Sequence, residues 1–203
     1  MVDALVVVLL VLILVALVVV GVLLARRGRA KPPAPASTAA DPFSSADVDA
    51  VRGDPRELAP GALVEIRGES YGVRGTLRLT EDGWSWTEHL LENAAGRRFW
   101  LSVEEDPELE LVLFTELSDV TVAPGKTIEL DGRTYRHQES GTATFTAEGT
   151  TGLNSGGTVH YQDYAAGDDA RLSLESYGES GKWEVSRGEV LSRYEVRSYP
   201  SGD

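Results

Sequence analysis

The chain has 203 residues, 42% hydrophobic and 25% charged, with a formal net charge of -13 and no cysteine. Without cysteine there is no disulfide framework, thiol chemistry, cysteine-type zinc site or iron–sulfur cluster. The charge is unevenly spread: residues 1–31 carry one acid, Asp3, against Arg26, Arg27, Arg29 and Lys31, whereas the remainder holds 31 acids and 15 bases. So acidic a body cannot replace the counterions of a duplex, which excludes nucleic acid as a partner.

Residues 4–25, ALVVVLLVLILVALVVVGVLLA, contain no charged or hydrogen-bonding side chain. As a helix rising about 1.5 Å per residue they cover about 33 Å, enough for a hydrocarbon core of roughly 30 Å. Val and Ile favour strand in water, but in lipid the backbone must satisfy its own polar groups, and a lone segment does so only as a helix. A cleaved secretory signal would place its bases before a shorter apolar stretch; here all four follow a long one. The segment reads as an uncleaved single-pass anchor, 1–31 with its flank. Arg26, Arg27, Arg29 and Lys31 assign that flank to the cytoplasmic side. The expected location is the cell membrane, N-terminus out and the remaining domain in the cytoplasm, with the bilayer as a partner through residues 4–25. No lipidation cysteine follows, and Gly21 has no GxxxG companion for helix pairing.

Residues 32–53 open with PPAPASTAADP and show no apolar period, which predicts a linker. The bases just before it, near anionic headgroups, attract, while the acidic body is repelled. Asp54-Pro55-Arg56-Glu57-Leu58 predicts one helical turn, with Asp54 as cap and Pro55 at the first helical position.

From Gly61 onward the hydrophobic period is two. Val64 and Ile66 alternate with Leu63, Glu65 and Arg67. Trp84, Trp86, Glu88 and Leu90 share one face of a second run, and Phe99, Leu101 and Val103 line a third. Turn chemistry at Asp82-Gly83, Asn93 to Gly96, Asp106-Pro107, Asp131-Gly132, Gly149 to Gly157 and Gly178 to Gly181 separates the runs. The predicted class is all-β, barrel- or sandwich-like. Gly61 to Tyr71 recurs as Gly125 to Tyr135, with Gly61/Gly125, Glu65/Glu129, Gly68/Gly132 and Tyr71/Tyr135 identical. Val64/Ile128 and Ile66/Leu130 keep the pleat in phase. Leu101-Ser102-Val103-Glu104 echoes Leu172-Ser173-Leu174-Glu175. Two pseudo-repeated β-units, 54–123 and 124–203, are therefore expected, each too small for a robust core of its own and packed against the other.

Catalytic signatures are absent. His89, His137 and His160 lack HxH or HExxH spacing, so no metal or cofactor is expected. No GxSxG elbow occurs. Gly149 to Gly157 lacks the Lys-Ser/Thr ending of a phosphate loop and reads as a hairpin loop. Glu104-Glu105-Asp106 reads as a solvated strand end. The strand carrying Trp84, Trp86, Glu88 and His89 is the candidate partner-binding element: either Glu88 accepts hydrogen bonds inside the fold, or its face is an open surface on which indoles anchor a partner.

Around these runs the chain resembles the bacterial family described as domain of unknown function number 4178. The family's pattern opens GxxVxLxGxxYxVxGxL, matched from Gly61 to Leu77 with Ile66 at the Leu position, and continues as Trp86-Thr87-Glu88-His89-Leu90-Leu91, where His89 replaces the usual Tyr. Trp100-Leu101, Tyr161-Gln162-Asp163-Tyr164 and Leu172-Ser173-Leu174-Glu175 complete a match over residues 55–197. The resemblance carries no activity. It implies a neighbourhood of small membrane proteins, phage-shock-like proteins and polyamine-synthase-like proteins, hence membrane stress or maintenance.

The leading expectation is a non-enzymatic scaffold that recruits protein partners at the cytoplasmic face. The alternative is an enzyme or binder acting on a cationic small molecule such as a polyamine, for which acids should converge in a deep pocket. An outward-facing sensor is the third reading.

Overall fold

The computed structural model describes residues 45–201. The expected membrane span, its basic flank and most of the expected linker lie outside the described residues. Among those described, no helix is long and apolar enough to cross a membrane.

The chain runs through helix α1 (Ser45–Arg52), a 3-10 turn (Pro55–Glu57), and strands β1 (Leu63–Ile66), β2 (Glu69–Glu81), β3 (Trp84–Asn93), β4 (Arg98–Glu105) and β5 (Leu109–Glu116). Strands β6 (Thr127–Leu130), β7 (Arg133–Gly149), β8 (Gly156–Ala165), β9 (Ala170–Tyr177) and β10 (Glu184–Leu191) follow, then a second 3-10 turn (Arg193–Glu195) and β11 (Val196–Tyr199). The Asp54 carboxylate caps the first 3-10 turn by accepting from the Arg56 N–H, as the Asp-Pro pair predicts. Helix α1 corrects the linker reading, which extended to residue 53. A short helix is marginal alone, but Asp49 within it is gripped by Arg193 at 2.7 Å and Arg56 at 3.2 Å. Gly53, with φ of 72°, ends it in the left-handed conformation that glycine adopts without strain.

All eleven strands belong to one antiparallel sheet, ordered β11-β1-β2-β3-β4-β5-β10-β9-β8-β7-β6. An additional pairing of β2 with β7, Gly75 opposite Gly149 through Thr80 opposite Thr144, closes it. The circuit β2-β3-β4-β5-β10-β9-β8-β7 is an eight-stranded barrel, with β1, β11 and β6 continuing the sheet outside it. The expected division at residues 123/124 is not a boundary between separate sheets, because β2 pairs with β7 and β5 with β10 across it.

One-residue irregularities make this closure possible. On β2 the register passes from Val73 opposite Leu91 to Gly75 opposite Leu90, leaving Arg74 unmatched; on β7 it passes from His137 opposite Tyr164 to Glu139 opposite Asp163, leaving Gln138 unmatched. A bulge moves the following residues to the other face and adds local twist. Tyr71 and Val73 therefore join an outer core with Val64, Leu101 and Leu191, while Leu77 and Leu79 join the barrel's own core with Phe145 and Val159. Likewise Tyr135 packs outside with Ile128 and Leu172, whereas Ala143 and Phe145 face inward. The sheet thus buries apolar side chains on both faces, its free ends folding back over the outer face of the barrel.

The tight turns fall where the dipeptides predict. Asp82-Gly83 and Asp131-Gly132 hold φ values of 46° and 91°, and of 50° and 75°, the paired positive angles of a type I′ hairpin. In the ladders Leu101 lies opposite His89 and Leu172 opposite Tyr164.

Candidate functional site

Alternation puts every second residue of the barrel strands into the interior, and these residues line a cavity of about 280 Å³. This lies at the lower end of small-molecule sites, which run roughly 300–1,000 Å³. Its wall is rich in aromatic and acidic side chains. Trp86, Trp100, Phe114 and Tyr161 supply rings; eight carboxylates, of Glu81, Glu88, Glu104, Asp106, Glu110, Glu139, Asp163 and Glu175, are opposed by a single base, Arg171. Arg171 is already engaged with Glu110 at 3.2 Å.

The carboxylates fall along a gradient. Glu88 on β3, Asp163 on β8 and Glu175 on β9 are only partly accessible, whereas Glu104, Glu110 and Glu139 are exposed. The Trp86 indole Nε1 donates to Glu88 Oε1 at 3.1 Å, and the Tyr177 hydroxyl donates to Glu175 Oε2 at 3.0 Å. Among the described residues no base pairs with Glu88, Asp163 or Glu175, and neither Glu88 Oε2 nor Glu175 Oε1 has a hydrogen-bond donor. Burial pushes the Glu88 carboxyl up to about 7; the indole opposes this, and the charges of Asp163 and Glu104 add to it. Burial, and then the charges of Glu88 and Asp163, raise Glu175 well above the usual carboxylate range. Asp163 is lifted to about 6, again chiefly by burial. Glu104 is raised by burial and by facing Glu139, Glu110 and Asp163. A cation entering the cavity would relieve all four.

Glu81 is held differently. It accepts from the Thr142 N–H at 2.7 Å and the Tyr161 hydroxyl at 2.5 Å, and its carboxylate occupies the space a Cβ on Gly141 would need. The glycine makes room for an acid that ties β2 to β7 and β8 and orients the Tyr161 ring, which meets Trp86 edge-on at 5.7 Å.

The structure divides the four residues singled out from sequence. Trp84, Trp86 and Glu88 do share a face, and it is the cavity wall, with Trp84 left 58% exposed. Glu88 accepts a hydrogen bond from the Trp86 indole inside the fold and lines the cavity. His89 is corrected: it points to the opposite face and is fully buried between Thr76 Oγ1, 2.9 Å from Nδ1, and Thr87 Oγ1, 3.1 Å from Nε2. Burial lowers its imidazole to about 4, so it is a neutral structural group with no surface to offer a partner. The repeat glycines Gly68 and Gly132 sit in the β1–β2 and β6–β7 turns with φ of 84° and 75°; Tyr71 and Tyr135 are buried opposite Val64 and Ile128. Gly61, Glu65, Gly125 and Glu129 belong to the same two hairpins and lie outside the cavity.

Sequence reasoning missed Asp163, Glu175 and the inward role of Glu104, which was read as solvated; it is the neighbouring Glu105 that faces out, to Arg56 at 2.8 Å. The available signal was an acid two residues from an aromatic on one strand face: Trp86-x-Glu88, Tyr161-x-Asp163 and Glu175-x-Tyr177. That signal is not specific, since Glu69 and Tyr71 repeat it outside the cavity.

The fold and the cavity together define an eight-stranded antiparallel barrel closed around an acidic, aromatic-walled space. The chain belongs to the family described as domain of unknown function 4178, whose model matches residues 59–193. Uncharacterized proteins of Mycobacterium bovis and of two strains of Mycobacterium tuberculosis are similar to it, 37% identical over 187 residues and covering 89% of either chain. No solved structure matches it.

Proposed function

We propose that this protein is a membrane-anchored binding barrel whose cavity takes a small organic cation. The observation that carries the reading is the set of buried carboxylates without basic partners, facing a cavity whose walls are also aromatic. Carboxylates attract and hydrogen-bond an ammonium, and indole and phenol faces add cation–π attraction of about 0.5–2 kcal/mol each. Among the described residues no three His, Asp or Glu side chains are grouped to hold a metal ion, which favours an extended organic cation over a compact divalent one. Titration calorimetry of the full chain in non-ionic detergent with 1,4-diaminobutane, at constant ionic strength, tests this. Saturable binding that Glu175→Gln weakens is expected; the absence of binding at millimolar diamine sinks the reading.

The anchor and orientation remain part of the proposal. The 22 apolar residues and the four bases behind them support a single span with the barrel in the cytoplasm. Because the chain lacks cysteine, Glu179→Cys in the exposed β9–β10 loop gives one reporter: an impermeant maleimide should label it only after lysis. We further propose that β1–β5 and β6–β10 are two copies of one unit, supported by the matched hairpins and by bulges three residues after Tyr71 and Tyr135. Recruitment of a protein partner is a second reading, which keeps the exposed Trp84 as its anchor. Crosslinked pull-down in which Trp84→Ala loses a partner would favour it.

A further inference from the structure

The carboxylates are not evenly distributed, and their distribution says what kind of cation fits. Two foci stand out. At the deep one, Glu88 and Glu175 feel each other's charge, and each keeps one carboxylate oxygen without a donor among the described residues. At the open one, Glu104 of β4 faces Glu139 of β7, with Glu110 beside Glu104 on the neighbouring strand. Asp163 lies between: it is opposite Glu139 in the β7–β8 ladder and also acts on Glu88 and Glu175. Beside these acids the cavity wall is aromatic, with Trp86 and Tyr161 in edge contact and Trp100 packed against the same core. Among the described residues no grouping of three acids suits a metal ion.

Resting on the cation-binding reading, we infer that the ligand is a linear molecule with at least two ammonium groups joined by a flexible aliphatic chain. One ammonium sits between Glu88 and Glu175, the chain lies along Trp86 and Tyr161, and the second ammonium meets Glu104 and Glu139 near the opening. Arg171 does not compete, since Glu110 holds it. A monoammonium ligand fills one focus and leaves the other unneutralised. A quaternary cation reaches neither oxygen pair with hydrogen bonds, because a quaternary nitrogen has no N–H to donate.

The experiment is calorimetric titration of the full chain at pH 7.5 with 1,4-diaminobutane, n-butylamine and tetramethylammonium at matched ionic strength. It is run on wild type and on the isosteric variants Glu175→Gln and Glu104→Gln/Glu139→Gln, each first checked for an unchanged circular dichroism spectrum. The diamine should bind at least 10-fold tighter than n-butylamine, and tetramethylammonium weakest. The double variant should weaken the diamine more than n-butylamine and so cut the diamine advantage below about 3-fold, and Glu175→Gln should weaken both amines. Equal affinities of diamine and monoamine on wild type would overturn the two-focus inference while leaving cation binding standing. Failure of every ammonium probe to bind would overturn both.

Discussion

Glu88 is expected to destabilise the protein at neutral pH, and the effect can be sized. Its carboxyl, ordinarily at 4.5, sits at about 7 in the fold, so ionising it in place costs about 3 kcal/mol more than in the unfolded chain. Because the folded value lies above the unfolded one, the contribution is fully present below about pH 4.5 and is lost as pH rises through 7. Between pH 5 and 8 the folded wild type should lose about 2–3 kcal/mol from this group alone. His89 works in the opposite sense over part of this range, since its imidazole is depressed to about 4 and the unfolded chain takes up a proton that the fold refuses. Comparison with Glu88→Gln cancels it. The amide keeps an oxygen for the Trp86 indole and cannot ionise. The two proteins should therefore melt together at about pH 4, and the variant should melt roughly 5–10 °C higher at pH 8, at about 2–4 °C per kcal/mol for a chain of this size. Calorimetric melting of both full-length proteins at half-unit pH steps measures this. A difference independent of pH, or a variant less stable than wild type at pH 8, would refute the assignment of Glu88 as a buried carboxyl without a cation.

Three further outcomes follow from particular contacts. Gly141→Ala places a methyl where the Glu81 carboxylate lies, breaking its bonds with the Thr142 N–H and Tyr161 hydroxyl; a loss of about 1–2 kcal/mol is expected in urea unfolding, against none for Gly167→Ala, which meets open space. Thr76→Val deprives the fully buried His89 Nδ1 of its partner and should cost about 1–3 kcal/mol by the same assay. Trp86→Ala removes a ring packed in the barrel core and should cost about 3–5 kcal/mol, whereas Trp84→Ala, at an exposed position, should change stability by no more than about 0.5 kcal/mol.

Much of the local structure could be read from the residues. Asp82-Gly83 and Asp131-Gly132 demand left-handed backbone at consecutive positions, and the chain turns there. Asp54-Pro55 begins a helical turn because its cap and its fixed φ are both local devices. The common face of Trp84, Trp86 and Glu88 followed from the pleat alone. Helix α1 was not legible, because its Asp49 is held by Arg193, 144 residues away. Nor was the burial of His89: its place on a strand says which side it shares, not that Thr76 and Thr87 wait there. The acids Asp163 and Glu175 were hidden among so many others that only their convergence inside a closed sheet distinguishes them.

On β2 the apolar positions Tyr71, Val73, Leu77 and Leu79 are all separated by even numbers of residues, and on β7 so are Tyr135, Ala143 and Phe145. From sequence each reads as a single strand face, and period, turn positions and all-β class are what local chemistry fixes, because they depend on each residue's neighbours along the chain. Only the tertiary structure decides that Arg74 and Gln138 are left out of the ladder, so that each set is divided between an outer core and the barrel interior. A bulge is a property of two strands in register, not of either alone. That register closes β2 onto β7, and with the closure Glu88, Asp163 and Glu175 face one another across a single cavity.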